Sequence, residues 1–167
     1  DSAGAAATKA VELWRAGTLS LDDLVTVLEQ YLQLCNVNGN MAGQLAYMMR
    51  NYGKAASVTM TPAAGSLDSA IAADAVTSAV KSAATGEPSL VEMKLVRLVQ
   101  GATVKAGQGG WSDQLRKDPN VGGWTRGLES DACQLCRWWW REGKVWPKDH
   151  VMPTHPGCTC YQKAIKK

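Results

Sequence analysis

Five side chains toward the C-terminal end of this sequence have types and spacings that can do chemistry: Cys133, Cys136, His155, Cys158 and Cys160. Cys133-Gln-Leu-Cys136 is a C-x-x-C pair, and on the first turn of a helix that spacing puts both thiols on one side. His155-Pro-Gly-Cys158 repeats the spacing as a tight turn. Tetrahedral zinc takes four soft or borderline ligands, commonly from two such pairs, and the 18 intervening residues suit a small helix plus a hairpin. Five donors compete for four places. Cys158, which completes the His155-Pro-Gly-Cys158 pair, is favoured as the fourth ligand and Cys160 is left second. A redox dithiol and a set of merely buried thiols are the alternatives.

The remaining cysteine, Cys35, stands alone on an apolar stripe and reads as core. An odd cysteine count with four of the five crowded at one end is not a disulfide framework. Clustered thiols beside a histidine, with no secretion signal in the sequence, point instead to a metal site in a reducing compartment.

Between the two pairs lies Trp138-Trp139-Trp140. Successive helical residues are about 100° apart, so three adjacent indoles cannot all face one core. At least one is expected to be exposed or covered by a partner, and tryptophan is enriched among interface anchors.

These groups need elements to hold them. Ala5 to Arg15 reads as a helix closed by Gly17, and Ser20 with Asp23 forms an acidic variant of the capping box. Leu21, Leu24, Val25, Leu28, Tyr31, Leu32 and Cys35 then recur at the helical period. Asn36 to Asn40 reads as a turn, followed by a helix over Met41 to Tyr52 with Leu45, Met48 and Met49 inward and Gly53 as its stop. An Ala-rich helix is expected over Ser66 to Ala84. Ser89 with Glu92 suggests a second capping box, opening a helix to about Lys105 with Val91, Leu95, Leu98, Val99 and Ala102 on one face. Gly107 to Gly127, rich in glycine, reads as a loop-rich connection with a short strand. The fold class is therefore mainly α (α+β): a helical N-terminal part over 1–88, then a C-terminal part over 89–167 with a zinc-stapled helix and hairpin module at 124–160.

Hydrophobic residues make up 46% and charged residues 20%, close to soluble globular averages, which argues against disorder and against a membrane protein. The chain reads as soluble and not secreted. It begins at Asp1 rather than Met, which suggests processing or a longer gene product. Residues 1–90 carry five Lys/Arg and eight Asp/Glu, whereas 91–167 carry thirteen and seven, so the second half is basic by six. That asymmetry can mark contact with nucleic acid or an acidic partner and is as readily a solvated face, with Lys163, Lys166 and Lys167 as a weak nucleic-acid candidate.

The order of motifs also carries a family resemblance. Gly123-Trp124-Thr125-Arg126 precedes Cys133 and Cys136, then come Gly143-Lys144-Val145-Trp146 and His155-Pro156-Gly157-Cys158-Thr159-Cys160. This resembles the MuF-like minor head (minor capsid) proteins of tailed bacteriophages infecting actinobacteria. Trp14, the Leu19-Ser20-Leu21-Asp22-Asp23-Leu24 helix start and the Ala-rich middle are similar to the family's helical N-terminal part. The likeness spans nearly the whole chain and is most specific over the final 45 residues. It implies a non-enzymatic virion component in the capsid interior, assembled in the host cytoplasm and associated with the portal protein or other head proteins. Roles in head morphogenesis or in DNA packaging and ejection follow, with packaged DNA as a further contact and no membrane or small-molecule substrate.

The rival readings are a zinc-containing nucleic-acid-binding module and an HNH-type nuclease. The second is suggested by Asp149-His150-Val151-Met152-Pro153 after a C-x-x-C, but metal-assisted cleavage there needs further ligands downstream. No Asn follows Asn120, and only 17 residues follow His150. A His155 and Cys158 nucleophile pair is formally available, yet metal ligation explains both residues more simply.

Overall fold

The structure is a computed structural model that describes residues 2–53, 69–84 and 88–167. Among them are helices α1 (Ser2–Arg15), α2 (Leu21–Tyr52), α3 (Ser69–Ala84), α4 (Pro88–Lys117) and α5 (Gln134–Trp140), a 3-10 turn over Arg141–Gly143, and strands β1 (Val121–Gly127), β2 (Trp146–Pro147) and β3 (Tyr161–Lys166). The protein is mainly helical with one small antiparallel sheet of order β2-β1-β3, as the sequence predicts. No helix among the described residues is long and apolar enough to cross a membrane.

The chain packs as two compact units. The first comprises residues 1–39 and 63–106, the second 40–62 and 107–167, so α2 and α4 each contribute to both. The segments 1–88 and 89–167 expected from the sequence are therefore not the packing units.

In the first unit the capping box forms as predicted. The Ser20 N–H donates to Asp23 Oδ2 at 3.0 Å, and the Asp23 N–H donates to Ser20 Oγ at 3.1 Å. These bonds from Ser20 hold the Asp23 carboxyl below its ordinary range. Leu24, Leu28, Leu32 and Cys35 are buried with Val11, Val76, Val80, Leu95 and Val99, and Val25 and Tyr31 pack at the margin. Leu21, expected on this face, is exposed, being the first residue of α2. Cys35 is core, as its stripe predicts.

Two expected chain breaks are helical instead. Asn36 to Asn40 is not a turn, because α2 runs unbroken through it. Nor is Gly107 to Lys117 a loop, because α4 continues twelve residues beyond Lys105. The cause is close helix packing. Glycine inside a helix costs about 1 kcal/mol locally, but it lets backbones approach. A Cβ on Gly43 would collide with the Gly107 carbonyl oxygen, and one on Gly110 with the Asn40 carbonyl oxygen. The polar residues are used within this packing. Gln44 Nε2 donates to Asn40 Oδ1 at 2.6 Å, and Gln114 Nε2 donates to Gln44 Oε1 at 2.9 Å.

Smaller differences follow. Tyr47 is the buried large hydrophobic residue on this stretch of α2, while Leu45 and Met48 are half-buried and Met49 is exposed. Pro88 occupies the first position of α4, so Ser89 is inside the helix rather than its cap. Glu92 instead accepts a hydrogen bond from the Thr8 hydroxyl at 3.0 Å. Ser66 to Asp68 of the expected third helix, and the side chain of Val91, lie outside the described residues.

The second unit has its core at Tyr47, Leu115, Val121, Trp124 and Met152, with Trp111, Trp146 and Ala164 against it. β1 pairs with β3 at Trp124↔Ala164 and Arg126↔Gln162, and with β2 at Trp124↔Trp146. Trp124 and Arg126 are two residues apart and point from the same face of the central strand.

Candidate metal centre

The C-x-x-C pair is set by the start of α5. Cys133 is its N-cap in extended conformation, and its carbonyl accepts the Arg137 N–H at 3.1 Å, which places Cys136 in the first turn. The second pair is set by a turn in which the Cys158 N–H donates to the His155 carbonyl at 3.0 Å and Gly157 adopts a φ of +77°. Only glycine adopts that backbone without strain. The last turn of sequence is then fixed from α4: Gln108 Nε2 donates to the Cys158 carbonyl at 2.7 Å and to the Cys160 carbonyl at 3.0 Å.

All five predicted donors converge. His155 Nε2 lies 3.2 Å from Cys133 Sγ and 3.1 Å from Cys136 Sγ, and Cys136 Sγ lies 3.6 Å from Cys158 Sγ. Cys133, Cys136 and His155 form one group able to hold a metal ion, and Cys136, Cys158 and Cys160 form another. Cys158 and Cys160, two residues apart, both lie against Cys136.

The printed separations suit the edges of a tetrahedral site. Metal–sulfur bonds of about 2.3 Å and metal–nitrogen bonds of about 2.0 Å give tetrahedral edges of about 3.8 Å between sulfurs and about 3.5 Å between sulfur and nitrogen. The observed separations fall within a few tenths of an ångström of these values. The imidazole is oriented for the task. Nδ1 lies 2.9 Å from the Pro156 carbonyl oxygen, which can only accept, so Nδ1 carries the proton and Nε2 offers its lone pair to the cluster. No disulfide links the cysteines.

The thiols differ electrostatically. The Cys136 backbone N–H beside Cys133 lowers that thiol's pKa, against a small burial effect. Burial and the neighbouring thiols of Cys158 and Cys160 push Cys136 up. Burial also acts upward on Cys158, but the N–H of Cys160 and the Cys136 thiol outweigh it and the net direction is down. The hydrogen bond to the Pro156 carbonyl, then the Cys133 and Cys158 charges, raise His155.

Two residues that touch the cluster carry no sequence prediction. Arg126 is buried, with Nη1 3.9 Å from both Cys136 Sγ and Cys158 Sγ, Nη2 donating to the Pro153 carbonyl, and the guanidinium 5.3 Å from the Trp139 ring centroid. Its signal in the sequence is an arginine two residues after a tryptophan, the one charged residue on the strand. Gln108 has no such signal.

The tryptophan run divides as helical geometry requires. Trp138 is 66% exposed, Trp140 is 38% exposed, and Trp139 is half-buried under Arg126 and beside His155. His150, the nuclease-like residue, lies outside the metal-holding groups found among the described residues. Its ring stacks on Trp146 with centroids 4.2 Å apart, and its carbonyl accepts the Trp124 indole N–H at 3.1 Å. Lys163 and Lys166 are three positions apart on β3 and so point to opposite faces. Lys166 reaches Asp118 Oδ2 at 3.7 Å and covers the Tyr52 ring, while Lys167 follows the strand's end.

Comparison of the chain with family models, with curated proteins and with solved structures gives no match.

Proposed function

We propose that this chain is a non-enzymatic minor head protein of a tailed bacteriophage, in which one zinc ion cross-links the C-terminal module and the neighbouring helix docks on another head component. The observation that carries the reading is that Cys133, Cys136 and His155 gather into one group able to hold a metal ion, and Cys136, Cys158 and Cys160 into another that shares Cys136. Four protein donors fill a tetrahedral shell and leave no position for water or substrate, which is the pattern of structural rather than catalytic zinc. Sulfur and imidazole donors in tetrahedral array favour zinc over harder divalent ions. The metal would supply a cross-link between the start of α5 and the turn at 155–158.

The phage assignment rests on the motif order from Gly123 to Cys160 and places the protein in the capsid interior, after assembly in the host cytoplasm. The partner is the portal protein or an adjoining head protein, with packaged DNA second. Trp138 is the anchor: leaving an indole in water forgoes roughly 1.5–3 kcal/mol, which a covering partner recovers.

Elemental analysis of the purified chain tests the metal, and one zinc per chain is expected. A folded, metal-free sample would sink the zinc reading. Density for this chain in intact particles tests its place, and absence from the particle would sink the phage reading. Divalent-metal-dependent cutting of DNA by the purified chain would revive the nuclease rival.

A further inference from the structure

One side of α2 carries an apolar stripe that the described residues leave partly open to solvent. Val27, Leu34, Met41 and Met48 recur every seven residues along it, and Leu45 and Tyr52 fall four residues after Met41 and Met48 on the same side. Val27 is 41% exposed, Leu34 54% and Tyr52 39%, while Met41, Leu45 and Met48 are half-buried. The side chains that α2 buries most deeply, Leu24, Leu28, Leu32 and Tyr47, lie elsewhere round the helix. An apolar repeat of seven residues is the spacing by which one helix seats another.

Charge decides what can cover the stripe. Between Leu24 and Met49 the only charged residue is Glu29, which turns about 200° away from Val27. Such a face offers nothing to a strongly acidic or basic partner, and two copies of it meet without like-charge repulsion. The ends set the direction. The first turn of α2 carries Asp22 and Asp23, and the last turn carries Arg50. Parallel copies would bring two acidic turns together, whereas antiparallel copies set each acidic turn beside the turn with Arg50 and oppose the helix dipoles. We propose that α2 pairs antiparallel with α2 of a second copy of this chain, Val27 facing Met48 and Leu34 facing Met41 across a two-fold axis. The pairing is independent of the metal and phage readings above.

An open cleft of about 170 Å³ lies where this register needs a hole. Met48 and Tyr52 of the stripe line it together with Tyr47 and Gln114. The partner's Val27, opposite Met48, enters it as a knob. From Val27 to Tyr52 the stripe runs roughly 37 Å at 1.5 Å per residue, and a helix about 10 Å wide gives a footprint on the order of 400 Å² per copy. That matches the exposed apolar patches that mark interaction sites, and it is about half of the roughly 800 Å² per partner of a standard interface. The dimer is therefore weak and concentration dependent.

Sedimentation of the purified full chain over a concentration series tests the pairing. A monomer to dimer equilibrium is expected, and Leu34→Glu should weaken it about tenfold or more, as loss of a central interface contact does. Its circular dichroism should match the parent's, because Leu34 is exposed. Ala46→Glu places the same charge on an exposed position about 100° round the helix from Leu45 and should leave the dimer intact. Leu34→Glu combined with Met41→Lys puts opposite charges at facing positions and should recover part of the lost affinity. A chain that stays monomeric up to about 1 mM overturns the proposal and leaves the stripe to a different protein. So does a dimer that Leu34→Glu does not weaken, or that Ala46→Glu weakens equally. A double variant no tighter than Leu34→Glu overturns the antiparallel register. Should Leu34→Glu lose its helical signal, Val27→Lys takes its place with the same expected loss, and an unweakened dimer there overturns the proposal.

Discussion

The Tyr47 hydroxyl donates to Asp118 Oδ2 at 2.7 Å, joining α2 to the end of α4 across 71 residues of sequence. Asp118 is buried, and its carboxylate also accepts the Tyr52 hydroxyl, takes the Asn120 N–H at 2.9 Å and faces Lys166. Burial pushes the Asp118 pKa up, but the two phenols, the Asn120 N–H and Lys166 outweigh it, so the group is held below its ordinary value. The phenol of Tyr47 is pushed far above its ordinary range by burial and by Asp118, so it remains a donor at every working pH.

A folded-state pKa below the unfolded one contributes stability that is present above the unfolded value, about 3.9, and lost as pH falls through the folded value. Chemical denaturation at pH 7 and pH 3 should therefore show a loss in the parent chain that is smaller in Asp118→Asn. Tyr47→Phe should cost about 1.5–3 kcal/mol at pH 7, the range for a hydrogen bond to a charged group. Equal acid sensitivity in both chains would show that Asp118 does not carry this effect.

Gly43→Ala and Gly110→Ala should reverse the usual helix rule. In an open helix each change stabilises by up to about 1 kcal/mol. Here the new methyl meets the Gly107 carbonyl or the Asn40 carbonyl across the helix contact, and overpacking of this kind costs about 1–3 kcal/mol. Thermal melts of both variants and of Gly101→Ala, where nothing lies near, provide the comparison. A gain at position 43 or 110 would mean that the helices do not approach as described.

Removing the metal should act locally. Cys136→Ser, or treatment with a strong chelator, is expected to abolish hydrogen-exchange protection over roughly the last 35 residues, because so small a module lacks the core to fold alone. The helix from Leu21 to Cys35, whose burial is independent of the cluster, should keep its protection. Uniform protection in the variant would show that the metal is dispensable.

Alanine substitutions should separate the tryptophans. Trp124 is buried among Tyr47, Leu115 and Val121, and Trp124→Ala should cost about 3–5 kcal/mol. Trp138→Ala should change stability by no more than about 0.5 kcal/mol, as for other surface positions, and on the proposed phage role it should lower incorporation into heads. If Trp138→Ala destabilises the isolated chain as Trp124→Ala does, the docking role is wrong.

The parts legible in the sequence were those governed by local rules. The Ser20 and Asp23 cap depends on residues three apart, the α2 stripe on a repeating period, and the Cys/His pairs on short spacings. What escaped was decided by residues distant in sequence. Gly107, Gly109 and Gly110 are locally helix-breaking, and only the approach of the α2 backbone shows why a helix runs through them. Asn36 to Asn40 looks like a turn for the same reason, because a buried polar residue is indistinguishable from an exposed one until its partner is known. At the metal centre the donors were legible and their supports were not: Gln108 lies 50 and 52 residues before the carbonyls it holds.

The position of Trp139 has a practical consequence. Its indole lies beneath the Arg126 guanidinium and 6.1 Å from the His155 ring, nearer the donor cluster than its neighbour Trp138, which faces solvent. On the proposed metal site, any change in the charge at His155 and the thiols would alter the electric field across that chromophore, giving an optical gauge of its occupancy. A chain keeping Trp139 alone among its tryptophans would turn emission wavelength into a direct reading of metal capture and release.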